Sequence, residues 1–419
     1  MIDIANLRER RGELGRSLAR RGIDMDLDAL FDLDERRRES RTTAEEIRSR
    51  QNTIGKSISA LDGDEKQAAI SQAGELSEEY KTVLAMADDL DEQFDAQWIT
   101  LPNMTDPTAA DGLEEEDAVE LRRIGEQPSF DFETKDHVDL GVGLDVIDIE
   151  RAVKISGSRF GLKKGKLAVL EMSLMRWAID NLSGHGFTPV MPPVLVREEA
   201  LFGTGFFPGD REQVYSVRED DLYLVGTSEV SLAAMHGDEI FDVDALPLRY
   251  VGFSTCFRVE AGTYGKDTRG LFRVHQFDKA EMFSFVEPDV SRDEHDLLLA
   301  REEELVQALE LPYRVVNVAA GDLGSSAYKK YDIEAWFPGQ ERYREITSTS
   351  NTTDYQARRL KIRFKDDGGV NRFVHMLNGT AVTPRHLIAL LENHQQADGS
   401  VRIPEALVPY TGFEVLAAQ

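Results

Sequence analysis

Phe257-Arg258-Val259-Glu260, the run Ala261-Gly262-Thr263-Tyr264-Gly265-Lys266-Asp267-Thr268-Arg269-Gly270, and then Phe272-Arg273-Val274-His275-Gln276-Phe277 set apolar flanks around a glycine-rich middle, which predicts strand, mobile loop, strand. Arginine suits a bidentate grip on phosphate. A carboxylate two positions on shares its strand face and accepts from an exocyclic amine. An aromatic such as Phe277 on the returning strand stacks on a base. By themselves these residues describe either a nucleotide site or a surface hairpin laced with ion pairs.

Around this segment, from about residue 119, lie short β-branched and aromatic runs such as Leu222-Tyr223-Leu224-Val225 and Tyr313-Arg314-Val315-Val316-Asn317-Val318. Helical runs at 166–182 and 293–309 separate them, so a mixed domain built around a sheet is expected. Two phosphate-loop look-alikes fail. Gly161 and Gly165 enclose three residues where a P-loop has four, and Gly141-Val142-Gly143 lacks a third glycine at Val146.

Upstream, Leu76, Tyr80, Val83, Ala87, Leu90 and Phe94 alternate four and three apart, one apolar seam along a long helix. Leu33, Ala44, Ile47, Ile54, Ile58 and Leu61 continue such a frame, interrupted by Arg37, Ser40 and Gln51, and Leu61-Asp62-Gly63-Asp64-Glu65 closes a turn between the two runs. An antiparallel helical hairpin follows; residues 33–61 alone would extend about 44 Å. Arg36, Arg37, Arg38, Arg41, Arg48, Arg50 and Lys56 cluster on its first helix. A solvated face is the plain reading of that cluster. The acidic, Pro- and Gly-containing stretch after Leu101 reads as a linker, giving an arm at 1–104, a linker at 105–118 and a main domain at 119–419.

The 77 Asp and Glu against 49 Lys and Arg give a net charge of −28 in 419 residues, which repels bulk polyanions, excludes a general DNA binder and confines any nucleic-acid contact to local patches. The one cysteine, Cys256, excludes a disulfide framework and a cysteine-rich zinc site and fits the cytoplasm. No signal-peptide core and no membrane-spanning run is present.

Phe-Arg-x-Glu, a loop, and Arg-x-His-Gln-Phe-Asp-Lys-x-Glu-Met at 257–282 resembles motif 2 of the bacterial-type seryl-tRNA synthetases, which are class II aminoacyl-tRNA synthetases. Gly186 to Pro193 resembles their motif 1, Gly226-Thr227-Ser228-Glu229 their Thr-x-Glu element, Tyr343 to Asn351 and Asp354 to Arg359 their next signature, and Val374 to Thr380 the approach to motif 3. One departure is that Pro384, where many members have glycine, precedes the motif 3 Arg385.

The resemblance implies an α+β fold in which a helical hairpin, a coiled-coil arm, precedes a class II synthetase domain with an antiparallel sheet flanked by helices. It implies activation of L-serine by ATP to seryl-adenylate and transfer of serine to the 3′ end of serine tRNA, with selenocysteine tRNA a further family substrate. The attacking carboxylate is already ionised, so the chemistry demands alignment and positive charge at phosphorus. By resemblance Arg258, Arg273 and Arg385 are the catalytic arginines. Arg258 holds the α-phosphate and the serine carboxylate, and the other two hold the outer phosphates. Glu260 accepts from the adenine amino group, Phe277 stacks on the ring, and Val259, Val274, Ile346 and Thr347 belong to the ATP site. Glu345 and Ser348 offer oxygens to Mg2+. Thr227, with Ser228 beside it, and Glu229 bind the serine amino group; Glu281 and Thr380 bind its hydroxyl. Arg36, Arg37, Arg41 and Arg48 contact the long variable arm of the tRNA, and a homodimer is implied. A resistant or specialised paralogue, and a coiled-coil RNA-binding protein with an inactive synthetase domain, are the competing readings.

Overall fold

The computed structural model describes residues 1–262, 267 and 269–418; the expected mobile loop at 261–270 lies partly outside them. The chain forms two compact units, residues 3–19 with 23–101, and residues 1–2 and 20–22 with 102–419.

In the first unit, α1 (Leu27–Ser57) starts at Asp26, whose side chain accepts from the Ala29 amide, a cap that satisfies a helix-end donor. A short 3-10 turn at Ile58–Ala60 leads to α2 (Gly63–Trp98), and Gly63 takes the left-handed φ of 58° that the reversal requires. Leu33, Ala44 and Ile47 of α1 and Leu76, Ala87, Leu90 and Phe94 of α2 are buried along the expected seam. Arg37 does not break that seam. Its guanidinium lies 4.1 Å from the centre of the Phe94 ring and pairs with Asp34 at 2.8 Å and Asp91 at 3.3 Å.

In the second unit, β1 (Val119–Ile124), β2 (Thr188–Val190), β3 (Leu248–Phe257), β4 (Gln276–Val286), β5 (Tyr313–Asn317), β6 (Lys329–Phe337), β7 (Arg342–Asn351) and β8 (His375–Val382) form an eight-stranded sheet. Its order is β1-β5-β6-β7-β8-β4-β3-β2. All pairs are antiparallel except β2 with β3. Helices α3 (Lys166–Gly184), α4 (Ser291–Ala308) and α5 (Pro384–Asn393) flank it. Leu167, Leu170, Leu174, Leu298, Leu305, Leu387 and Ile388, none of them exposed, pack into one core with the sheet. From Ala280 onward β4 is buried at every position, as a central strand covered on both faces must be.

The stretch expected to be a linker is irregular yet fixed. The Asp106 amide donates to the Tyr328 carbonyl at 2.8 Å, Asn317 Nδ2 donates to the Thr108 carbonyl at 2.8 Å, and Ala110 bridges to Ala319. Proline, glycine and acidic residues announce irregular backbone; they do not announce that its polar groups lack partners.

Candidate active site

Strands β4, β7 and β8 face a cavity of about 340 Å3. Phe277, Lys279 and Glu281 line it at every second position of β4, as the strand period dictates. Thr380 of β8 stands opposite Glu281 and lines it too. Arg258, Glu260, Arg273, Val274, Glu345, Ile346, Thr347, Ser348 and Arg385 join the same wall, with Thr227 and Glu229 from the turn into the helix Glu229–Ala234. Ser228 is wholly buried and does not line the cavity, nor does Val259, whose amide donates to the Gln213 carbonyl.

At one end, the Arg258 guanidinium lies 5.2 Å from the centre of the Phe277 ring. Arg258 and Glu260 do not share a strand face as the sequence suggests, because β3 ends at Phe257 and β4 begins only at Gln276. Glu260 instead turns left-handed, φ 54°, at a cost of roughly 1–2 kcal/mol for a residue with a Cβ. Its carboxylate there receives Arg273 Nη1 at 2.6 Å. Phe272, expected to begin the returning strand, lies outside it and is buried, as is Leu271, whose amide meets His137 Nε2.

Glu345 and Ser348 are three apart, which in a regular strand puts them on opposite faces. A bulge brings them to one side. Opposite β6, Ile333 pairs with Thr347 and Glu334 with Glu345, so Ile346 is the extra residue. Burial pushes the Glu345 carboxyl up, but Arg385 and Lys330 overcome that and hold it well below the ordinary carboxylate value. Arg385 Nη1 lies 3.0 Å from the carboxylate. The residues fit a divalent cation: an ionised carboxylate and a hydroxyl on one wall. Pro384 is accommodated as the first residue of α5, where a missing N–H costs nothing. Thr383 caps that helix by accepting from the Arg385 amide at 3.2 Å.

Also on the wall, Glu229, 9 % exposed, accepts from Gln356 Nε2 at 2.7 Å. Burial, and then the charge of Glu281, push its carboxyl up to about 7. Sequence reasoning missed Gln356 and three further residues. Lys279 pairs with Glu281 and donates to Thr227 Oγ1 at 2.8 Å. Lys330 lines the cavity and pairs with Asp332 at 3.0 Å. The period of two along β4 and β6 was the signal that could have flagged Lys279 beside Glu281, and Lys330 with Asp332.

The chain matches the family model for the tRNA synthetase class II core domain (G, H, P, S and T) over residues 213–394. Residues 1–105 match the seryl-tRNA synthetase N-terminal domain. It is 49% identical over 417 residues to the serine–tRNA ligase of Nocardia farcinica, covering 99% of each chain, and equally similar to that of Thermobifida fusca, again over 99% of each. Among solved structures it resembles the seryl-tRNA synthetase from Pyrococcus horikoshii complexed with ATP, with a TM-score of 0.95, 40% identity and 100% of both chains covered. The cytoplasmic serine–tRNA ligase from Naegleria fowleri in complex with AMP follows at 0.89 and 32% identity, covering 100% of this chain and 99% of the other.

Proposed function

The chain belongs to the seryl-tRNA synthetase family, and from that premise we propose how its own residues activate L-serine with ATP and charge serine tRNA, and by family selenocysteine tRNA, in the cytoplasm. The observation that supports this reading is the single cavity in which phosphate-binding arginines, a metal-competent pair and a buried acidic pocket line one wall.

Phe277 stacks on the adenine beneath Arg258, and Glu260 accepts from its amino group. Arg258 grips the α-phosphate and the serine carboxylate, aligning the attack; Arg273 and Arg385 hold the outer phosphates. In the structure both are paired, Arg273 with Glu260 and Arg385 with Glu345, so these pairs loosen as phosphate and metal compete for them. Glu345 and Ser348 would hold Mg2+, which supplies positive charge at the phosphates when bound. Glu281 and Thr380 read the serine hydroxyl. Removing a hydroxyl from a substrate leaves such buried groups unpaired, which discriminates by about 10⁴ or more.

Residues 1–104 serve as the tRNA-binding arm and 119–419 as the catalytic domain. A homodimer is supported by large apolar side chains left exposed, Met191 within motif 1 at 83 %, and Ile155 and Met172 at 74 and 64 %. Among the described residues no helix is long and apolar enough to cross a membrane.

Exchange of pyrophosphate into ATP tests the reading. It should depend on serine, fall by about a hundredfold or more with alanine or threonine, and lose serine selection in a folded Glu281→Ala variant. Equal exchange with glycine or alanine would refute it.

A further inference from the structure

Three carboxylates stand in or beneath the amino acid end of the cavity. Glu229, Glu281 and Glu302 are 9, 2 and 0 % exposed. Among the described residues the one ion pair that any of them makes is that of Glu281 with Lys279, itself 5 % exposed. The same ammonium donates to Thr227 Oγ1 at 2.8 Å. That oxygen also accepts from the Glu229 amide at 3.2 Å. A threonine hydroxyl has two acceptor sites and one proton. Both acceptor sites of Thr227 are taken, and no described residue receives its proton.

We propose that Lys279 sets the polarity of the amino acid pocket, pairing with Glu281 so that it serves as an acceptor and leaving Thr227 a donor only. The inference rests on the serine reading above and deepens it. An acceptor at Glu281 suits a substrate hydroxyl. A donor at Thr227 suits an oxygen of the amino acid, not its ammonium, which falls to Glu229. The Thr227 side chain is therefore reassigned from the amino group, its place by resemblance. Lys279 acts through these two neighbours and is a positioning residue. Its place on β4, between Phe277 and Glu281 in the row that faces the cavity, explains how one side chain reaches both.

The test is steady-state pyrophosphate exchange by the full-length chain. Lys279→Met should raise KM for serine about tenfold or more, while kcat and KM for ATP stay within about threefold. In a Glu281→Gln background, where only the Thr227 contact remains to be lost, the same substitution should raise KM by less than it does in the parent. Should Lys279→Met fail to fold, the double variant still decides. A folded double variant supports the proposal, because the unpaired buried charge is gone, and an unfolded one overturns it in favour of a purely structural lysine. A KM for serine within about twofold of the parent overturns it, as does an equal change in KM for ATP or an undiminished loss in the Glu281→Gln background. Exchange by the parent that ignores serine would refute the serine reading itself. Serine-dependent exchange with unmoved Lys279 variants would refute this inference alone.

Discussion

Glu229 is the residue whose protonation should be visible in kinetics. Burial comes first and the Glu281 charge second in raising its carboxyl to about 7, so it is neutral below that pH and charged above it. Only the charged form is a full partner for the substrate ammonium. kcat/KM reports groups of the free enzyme; for serine it should fall about tenfold per pH unit below about pH 7 and level off above. Glu229→Gln should remove the slope and leave the low limb's value at all pH. A flat wild-type profile from pH 6 to 8 would show that the charge of Glu229 is not used. Burial raises the Glu302 carboxyl well above the ordinary carboxylate value. His386, pushed down to about 3 by burial, does not titrate across this range.

At the scale of elements, the hairpin sets its arginines in two environments. Arg37 and Arg41 cross from α1 to α2, Arg41 meeting Asp88 at 2.7 Å and Asp91 at 2.5 Å, while Arg36, Arg48 and Arg50 are exposed. Arg36→Ala with Arg50→Ala should therefore weaken tRNA binding, lower its salt slope by about one unit per lost phosphate contact, and leave helicity intact. Arg37→Ala with Arg41→Ala should also lower the melting temperature of the hairpin. Circular dichroism with salt-dependent binding separates the two; equal melting would deny Arg37 and Arg41 a part in helix pairing. The seam itself was legible, since Leu76 to Phe94 repeat at the helical period. The partner of Arg37 was not, because Asp91 lies on another helix and no local period links them. The site shows the same division. Motif 2 announced Arg258, Glu260 and Arg273, but the bulge at Ile346 and the left-handed Glu260 are decisions of the whole sheet. They alone bring Glu345 to Ser348 and Glu260 to Arg273. Lys279 stands within motif 2, but its part follows only from its contacts with Glu281 and Thr227.

At the scale of the whole molecule, the reading proposed above places the chemistry in one unit and tRNA recognition in the other. Every proposed ATP and serine ligand lies between Thr227 and Arg385, in the unit that contains the sheet. Deleting residues 48–80 and closing the helices with a tight turn keeps the Arg37 and Arg41 pairs and should leave pyrophosphate exchange within about threefold, while charging of serine tRNA falls steeply. Full charging by the shortened chain would remove the arm from tRNA selection. The strap at 102–118 governs where such surgery is tolerated. Its composition advertises a seam for a protease or for a shorter gene, yet it is stitched to the sheet edge through Asp106, Thr108 and Ala110. A fragment beginning at Val119 would uncover Ala319 and strand the Asn317 amide without its acceptor, whereas one beginning at Pro102 carries its own edging. Residues 1–2 and 20–22 belong to the same unit as the sheet, so within this stretch the break falls at the foot of the helix and not in the part that looks like a hinge.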